Sequence, residues 1–293
     1  MVLASAAPGL AQEQRPVARV MPQPQYPYEM SRAGIPGWVK VEFVIDAKGE
    51  VISAKVAQSS HREFEKAALA AISKWRFVPG KKDGKAVNVR ATQVLEFNLD
   101  TFAVYPRELL LNGVEGQATV RYSVDDKGRA IGVVAVKATH PEFAAAARAA
   151  IMAGDYAAGL PVDETRERIF SFLANGRGDA IVSAEVKKLL AQLRKQPEII
   201  RASELDQRPE VKIHPPVRIA PDVLASAGPG SARVAIFIDD EGNVLLPQVI
   251  SATNEDYGYA VAQAVAGWKY EPPKKGGKRV LAQAAVEVSF GSK

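Results

Sequence analysis

Residues 37–49 read Gly37-Trp-Val-Lys-Val-Glu-Phe-Val-Ile-Asp-Ala-Lys-Gly49, and the same pattern returns twice further along the chain. The later copies begin at Gly116 and Gly230, and each again reaches a glycine 12 residues on, at Gly128 and Gly242. Between the glycines, apolar residues alternate with polar ones, which is the period of a strand that buries one face. An aspartate three residues ahead of the second glycine is typical of a hairpin turn. The chain is therefore predicted to contain three copies of one unit.

A second strand and then a helix are predicted behind each hairpin. The helix pattern starts at Ser60, Thr139 and Thr253, each followed three residues later by a carboxylate, which is the spacing of a helix N-cap. Apolar residues at spacing i, i+3, i+4 and i+7 follow each time and lead to Trp75 and Trp268 in the first and third copies. The alanines in this stripe would let the helix lie close to a sheet.

The predicted fold class is α+β. Each of the three tandem modules is expected to be a short antiparallel sheet with a helix packed on one face, in the order strand, hairpin, strand, helix, strand. A final strand is predicted over residues 86–97 in the first copy and 280–290 in the third. With so few strands, the last one is expected to be an edge, whose unpaired N–H and C=O groups can capture an extended segment of another chain.

The repeat spacing also predicts the domain organisation. The predicted boundaries are module 1 over residues 22–100, module 2 over 101–174, a loop and an amphipathic connecting helix over 175–203, and module 3 over 204–293. Residues 1–21 are interpreted as the remnant of an export signal or as a flexible N-terminus. The small residues of Gly9-Leu10-Ala11, behind a short apolar stretch, favour the export signal.

Composition excludes several classes of protein. The 293 residues are 47% apolar and 24% charged, as in soluble globular proteins, and the net charge of +5 comes without long basic runs, so a nucleic-acid partner is not expected. There is no cysteine and there are three histidines, so neither a thiolate nucleophile nor a Cys- or His-based metal site is predicted. No apolar stretch is long enough to predict a membrane span. We expect no catalytic residue, no metal and no cofactor.

The three histidines receive structural interpretations. His61 and His140 occupy equivalent positions after the predicted helix caps, where a polar first-turn residue is expected. His214 stands beside a proline and is interpreted as the counterpart of Tyr26 and Tyr105, packing as a ring. Neither a metal-ligand spacing nor a catalytic triad results.

Four motifs of the first copy resemble the C-terminal domain of TonB, the energy transducer of Gram-negative envelopes. They are Gln23-Pro-Gln-Tyr-Pro27, Ala33-Gly-Ile-Pro-Gly-Trp-Val-Lys-Val41, Asp46-Ala-Lys-Gly49 and Lys74-Trp-Arg-Phe-Val-Pro-Gly80. The third copy keeps Trp268-Lys-Tyr-Glu-Pro272. The second copy has Gly154-Asp-Tyr156 in place of the tryptophan motif, and is interpreted as degenerate.

The resemblance implies a periplasmic interaction protein linked to energy-dependent transmembrane transport, and not an enzyme. In that family the last strand pairs with an extended N-terminal segment of an outer-membrane transporter, and the Gln-Pro-x-Tyr-Pro segment contacts the transporter plug. Carried over by position, the candidate plug contacts are Gln23, Pro24, Gln25, Tyr26 and Pro27. The candidate residues for strand addition are Val87, Asn88, Val89, Arg90 and Ala91.

Two classes of function stay open at this point. The first is a protein that binds an outer-membrane transporter or another envelope protein by strand addition. The second is a periplasmic structural or self-association scaffold without energy transduction, in which sheet edges pair to form a homodimer. Energy transducers of the family have an N-terminal membrane helix and a long linker, so inner-membrane anchoring is expected only if the reading frame begins upstream. Three tandem modules favour multivalent or scaffold use.

Overall fold

The computed structural model describes residues 13–99, 101–159, 165–195 and 199–291. It is an α+β structure in which three modules each contain antiparallel strands with a helix on one face, as the sequence predicts. The export-signal interpretation of residues 1–12 lies outside the described residues.

Module 1 is built on a three-stranded sheet in the order β2-β1-β3. Its principal elements are α1 (Tyr28–Ala33), β1 (Gly37–Ile45), β2 (Val51–Ser59), α2 (Glu65–Ile72) and β3 (Val89–Phe97). A 3-10 turn at Arg62–Phe64 leads into α2. The inward side chains of β1 and those of α2 form one apolar core, which includes Val41, Phe64, Ile72 and Trp75.

Short strands ahead of module 1 also belong to its fold. Glu13–Gln14 pairs with Lys81–Lys82, and Val17–Val20 pairs with Arg76–Val78. The Trp75 indole Nε1 donates to the carbonyl of Pro22 at 3.1 Å. The chain from Glu13 to Pro22 is thus held against the segment that follows α2.

Module 2 repeats the arrangement with strand order β5-β4-β6. Its elements are α3 (Arg107–Leu111), β4 (Gly116–Val124), β5 (Ala130–Ala138), α4 (Pro141–Ala153) and β6 (Arg166–Phe172). The sequence did not predict β6, because its first three residues are all charged and hide the alternation. Burial of Phe170 and Phe172 and pairing with β4 stabilise it.

The connecting region and module 3 complete the described chain. Helix α5 (Ala184–Leu193) begins at Ser183, whose hydroxyl accepts from the Val186 amide at 3.3 Å. Module 3 then contains α6 (Pro221–Ala227), β7 (Gly230–Ile238), β8 (Val244–Ala252), α7 (Glu255–Val265) and β9 (Ala282–Phe290). Its sheet has four strands, because Ile200–Arg201 pairs with β9 on the side opposite β7.

The three modules are grouped into two compact units. One contains Met1–Leu99 and Tyr156–Gly159, and the other contains Asp100–Asp155 and Leu160–Lys293. Within the second unit α4 packs on α7, and α4 is buried on nearly all sides through small residues such as Ala145 and Ala149. Modules 2 and 3 therefore share one interior.

The hydroxyl groups predicted to cap the helices have a different partner. Ser60 Oγ accepts from the Trp38 amide at 2.8 Å, and the equivalent Thr139 hydroxyl accepts from the amide of Gln117 at 3.1 Å. Thr253 does the same in module 3. The N-cap prediction is wrong, because each hydroxyl binds the backbone at the start of the first strand of its module.

This close approach explains the first glycine of each copy. A Cβ on Gly116 would lie 2.0 Å from Thr139 Oγ1 and 2.8 Å from the Phe143 ring. A Cβ on Gly230 would lie equally close, at 2.0 Å, to Thr253 Oγ1. Only glycine leaves room for the strand start, the hydroxyl and the aromatic ring together.

A position with positive φ, four residues after each hairpin glycine, also repeats. Ser53, Gly132 and Leu246 all have positive φ, at 54°, 59° and 46°. In each module this position adjoins an irregularity in the pairing of the first two strands. The second strand of every module therefore bends at the same position of the repeat, as β-bulges do.

Candidate functional site

The outer edge of β3 in module 1 is the candidate site. β3 pairs with β1 in an unbroken register, from Val89 opposite Ile45 to Phe97 opposite Gly37. Along its other side, no strand of the described residues is paired with it. Its nine residues contain neither proline nor lysine, two residues with which natural proteins blunt an edge.

The opposite edge of the same sheet is different. β2 pairs with β1 through two register shifts, and Ser53 within it has a left-handed backbone. Bulges twist an edge and interrupt the row of regularly spaced backbone groups that a guest strand needs. Of the two edges of module 1, β3 is therefore the better template for another strand.

Three of the five residues predicted for strand addition lie on this edge, namely Val89, Arg90 and Ala91. The other two precede the strand. Val87 donates its amide to the carbonyl of Gly80 at 3.0 Å, and the Asn88 side-chain oxygen accepts from the amide of Ala47 at 3.1 Å. These two residues fix the entry of β3 beside the hairpin.

The segment Gln23–Pro27 precedes α1 and lies beside α2. Gln23 and Gln25 are exposed, whereas Tyr26 is partly buried. The Tyr26 ring stands edge-on to the rings of Phe64 and Phe97, with centroids 5.6 and 5.8 Å away, and its hydroxyl donates to the carbonyl of Ile35 at 2.7 Å. Burial raises the pKa of Tyr26, so the hydroxyl stays protonated and keeps this hydrogen bond.

A cleft of about 380 Å³ separates this segment from the exposed side of α2. Gln23 and Gln25 line one wall, and Lys66, Ala70 and Lys74 line the other. Amide groups and ammonium groups of this kind can bind carbonyl or carboxylate oxygens of a peptide. Pro24 is the one residue of the predicted plug-contact segment that does not line the cleft, while Tyr26 and Pro27 do.

The two sets of predicted residues lie at opposite ends of β3. Tyr26 contacts the Phe97 end, and Val89 begins the strand at the hairpin end. Eight residues of extended chain separate these ends, which is roughly 26 Å. A short ligand could not contact both sets, whereas an extended segment along the whole edge could.

The hairpin that flanks the Val89 end is fixed by a carboxylate. Asp46 Oδ1 accepts from the amides of Lys48 and Glu50 at 2.8 and 2.9 Å. The hydrogen bond from the Glu50 amide is the main reason why the pKa of Asp46 is lowered. The nearby strand Lys81–Lys82 is exposed and adds positive charge at this end of the edge.

Residues from a distant part of the chain bind side chains near the Phe97 end. The Trp38 indole Nε1 donates to the carbonyl of Ala158 at 3.0 Å, and the Asn98 side-chain oxygen accepts from the amide of Ala157 at 3.0 Å. Sequence reasoning missed these contacts, because the partners are 59 and 120 residues apart and no periodicity connects them.

His214 packs as a ring, as predicted, because its imidazole stands edge-on to the Trp268 ring with centroids 6.1 Å apart. Its assignment as the counterpart of Tyr26 is wrong. The Trp268 indole donates to the carbonyl of Pro215 at 3.0 Å, as Trp75 does to Pro22 in module 1. Counting from these prolines, Ile219 is the counterpart of Tyr26. Pro215 and Pro216 allow two alignments with module 1, and the sequence prediction uses the wrong one. In the alignment given by the tryptophan hydrogen bonds, module 3 lacks the aromatic anchor of the Gln-Pro-x-Tyr-Pro segment.

Neither a metal site nor a membrane helix is found in the part of the chain that the structure describes. No group of three or more His, Cys, Asp or Glu side chains is close enough there to hold a metal ion. None of the helices in the described ranges has the length and apolar character needed to cross a membrane.

Comparison with known proteins now assigns the family. Residues 22–99 and 103–172 each match the family described as Gram-negative bacterial TonB protein C-terminal, and together they make up half of the chain. The chain belongs to the TonB C-terminal family. Two consecutive matches confirm that TonB-C modules repeat in this protein, and the second match includes β6, the strand that the sequence did not predict.

Curated relatives of this TonB-family chain are TonB proteins. It is 36% identical over 81 residues to Protein TonB of Pseudomonas aeruginosa, an alignment that covers 27% of this chain and 24% of the relative. It is 37% identical over 79 residues to Protein TonB of Vibrio cholerae, covering 27% and 32%. The chain thus spans less than a third of the length of these relatives.

Two solved structures are also similar. The solution NMR structure of the Pseudomonas aeruginosa TonB CTD is 34% identical and covers 29% of this chain and 87% of its own, with a TM-score of 0.27. The TonB2 protein of Vibrio anguillarum is 28% identical, covering 33% and 93%, with a TM-score of 0.24.

Proposed function

We propose that this TonB-family protein captures an extended segment of an envelope partner by strand addition to the outer edge of β3. The observation that carries the proposal is the nine-residue edge from Val89 to Phe97, which is unbroken in register and unpaired among the described residues. The proposed partner is the N-terminal segment of an outer-membrane transporter. The proposed location is the periplasm, and the proposed role is in energy-dependent transmembrane transport.

The length of the edge supports contact with both predicted sets of residues. A guest strand of about nine residues would extend from Val89 to Phe97, since both strands rise by about 3.3 Å per residue. At the Phe97 end it would reach the neighbourhood of Tyr26 and the cleft beside α2. Backbone hydrogen bonds would provide affinity, and every second guest side chain would provide specificity.

Charge at the Val89 end supports a preference for acidic guests. Arg90 is exposed on the edge, and Lys81 and Lys82 are exposed beside it. Lys82 has an acidic neighbour in Glu13, but their 3.9 Å ion pair is exposed and contributes little. A guest with Asp or Glu near this end would gain in association rate and would be sensitive to salt.

The unit that contains modules 2 and 3 favours a second candidate function, that of a structural scaffold. Modules 2 and 3 share one interior through α4 and α7, where Arg148 pairs with Glu255 and Asp256 at 2.7 and 2.8 Å. Such a unit supports a structural role as a scaffold that carries module 1, without energy transduction. Sedimentation analysis of the full chain tests self-association, because a scaffold that works by edge pairing would form concentration-dependent dimers.

The decisive experiment is an N-methyl scan of the guest. Synthetic ten-residue peptides from the N-terminal segments of Gram-negative outer-membrane transporters are titrated onto the full chain, and the best binder is then methylated at one backbone nitrogen at a time. Only alternate N–H groups of an added strand face the edge. We expect affinity to fall at least tenfold at every second position, and a scan without period 2 would refute strand addition.

Proline substitutions locate the edge. Val89→Pro fixes φ and removes a backbone donor at the start of β3, so we expect peptide affinity to be abolished. Ala57→Pro is the matched control, since Ala57 lies in β2 at a register shift where no ladder pair is assigned to it. Equal peptide affinity of the two variants, with both folded by circular dichroism, would refute β3 as the site.

A further inference from the structure

The last strands of modules 1 and 3 can be aligned residue by residue. Val89 pairs with Ile45 in module 1, and Ala282 pairs with Ile238 in module 3. Both isoleucines end the first strand of their module and directly precede the hairpin aspartate. Ala282 is therefore the counterpart of Val89, at which the proposed capture edge begins.

In module 3 this position already has a partner strand from the same chain. Ile200 is paired with Ala282 and Arg201 with Gln283, in parallel orientation. The short strand Ile200–Arg201 thus lies on the outer edge of β9, where the equivalent edge of module 1 would receive a guest. At the same offset, the counterpart of Ile200 ahead of module 1 falls within residues 1–12, outside the described residues.

Two carboxylates hold this segment to module 3. Asp206 accepts from the amides of Gly276 and Gly277 at 2.8 and 2.9 Å, and its own amide donates to the carbonyl of Lys274 at 2.9 Å. Glu204 accepts from the Arg201 amide at 3.0 Å and pairs with Lys275 Nζ at 3.2 Å.

The geometry of the receiving hairpin explains the specificity of this attachment. Gly276 and Gly277 both have positive φ, at 59° and 75°, and form the tight turn between Lys274–Lys275 and Lys278–Arg279. Their two amides point to one carboxylate, an arrangement that binds anions well. Hydrogen bonds from Gly277 and then Gly276 lower the pKa of Asp206, so the carboxylate is ionised at neutral pH.

We propose that residues 200–206 are a resident guest segment of module 3, whose strand Ile200–Arg201 occupies the start of the β9 edge and excludes a partner strand there until the segment is displaced. This inference rests on the proposed function for its consequence, but the resident strand itself can be tested without any partner. It also assigns to Glu204 and Asp206 the role of holding the strand in place.

Disulfide trapping tests the resident strand in the full chain, which has no cysteine of its own. Arg201→Cys with Gln283→Cys places two thiols on directly paired residues, at a distance that a disulfide can bridge. Arg201→Cys with Glu287→Cys is the control, four residues and roughly 13 Å further along the strand. We expect mild oxidation to cross-link the first pair at least tenfold faster. Equal rates, or no cross-link in the first pair, would overturn the proposal.

Counting peptide sites tests the consequence. By calorimetry with the best-binding transporter peptide, we expect one more site on E204A/D206A than on the wild-type chain, while the control D126A keeps the wild-type number. Asp126 is an exposed hairpin residue and serves as the matched substitution. The wild-type number of sites on E204A/D206A would overturn the inference, with hydrogen exchange at Ala282 and Gln283 as the measure of segment release. If neither the wild type nor either variant binds peptide, the proposed function fails. The cross-linking result still decides whether the resident segment is paired with β9.

Discussion

The guanidinium carbon of Arg107 lies 4.8 Å from the centre of the Phe237 ring, so a side chain of module 2 is stacked on the sheet of module 3. Arg107 Nε also donates to the carbonyl of Leu246 at 2.6 Å, and the two terminal nitrogens reach Gln248 and the carbonyl of Ala235. Burial lowers the pKa of Arg107 to about 10, which still leaves it charged at neutral pH.

The first prediction concerns this arginine. Arg107→Ala leaves buried carbonyls of Leu246 and Ala235 without their donor, and we expect the second unit to lose about 2–4 kcal/mol of stability. Urea unfolding of the full chain measures this loss of stability as a lower midpoint of the transition that belongs to the second unit. Arg177→Ala, at an exposed loop residue, should shift neither. An Arg107→Ala midpoint equal to that of Arg177→Ala would contradict the role of the buried arginine.

The second prediction concerns the first glycine of the repeat. Gly116→Ala forces a Cβ into the space of Thr139 and Phe143, and we expect a loss of about 2–4 kcal/mol. Gly267→Ala is the control, because its nearest neighbour would be Pro215 at an ordinary 3.4 Å. Thermal unfolding of both variants checks the difference, and similar midpoints would show that the strand start has more room than these distances indicate.

The third prediction uses the strained position in β2. Ser53 has φ of 54°, and module 2 carries Gly132 at the equivalent place with φ of 59°. We therefore expect Ser53→Gly to stabilise the first unit by about 0.5–1 kcal/mol, since glycine adopts this conformation without steric penalty. Ala54→Gly, one residue along, should destabilise it. Denaturant midpoints measure both changes, and a loss of stability in Ser53→Gly would argue against strain at this residue.

The fourth prediction concerns acid. The folded-state pKa of Asp46 lies below its ordinary value of 3.8, chiefly because of the Glu50 amide. Its contribution to stability is therefore complete above the ordinary pKa and is lost as pH falls through the lower, folded-state pKa. As the pH is lowered below about 4, we expect the unfolding temperature of the first unit to fall in the wild type and to fall less steeply in Asp46→Asn. Calorimetry from pH 7 to 2.5 tests this, with Asp126→Asn as the control that should keep the wild-type slope.

Much of each module could be predicted from the sequence, because its signals are local. The alternation in β1, the Asp46-to-Gly49 turn and the apolar stripe of α2 all lie within short windows. Each specifies the same element through propensity and burial. The repeat reinforced these signals, since a pattern seen three times is less ambiguous than one seen once.

The features that sequence reasoning missed depend on partners distant in the chain. Arg107 begins a short helix and looks like a solvent-exposed cation, and its acceptors are about 130–140 residues away. Ile200–Arg201 is too short to show any period. The shared interior of modules 2 and 3 did leave one signal, because α4 is apolar on nearly every side, which is typical of a helix buried all round.

The candidate site was predicted in part for the same reason. Val89 to Ala91 follow an alternating pattern and lie on the edge, whereas Val87 and Asn88 were assigned to the strand although their hydrogen bonds bind them to Gly80 and Ala47. Which residues line an edge depends on where pairing with β1 begins, and a single sequence defines that point only to within a few residues.

The four residues Tyr156–Gly159 belong to the first unit although the chain reaches them only after α4. A fragment that stops at Leu99 would therefore leave the Trp38 indole nitrogen and the Asn98 amide oxygen without the backbone groups that satisfy them. Excision at the obvious boundary would yield a weakened piece. For expression, crystallisation or fusion to another protein, the first unit should therefore include a linked copy of Tyr156–Gly159 or remain within the full chain.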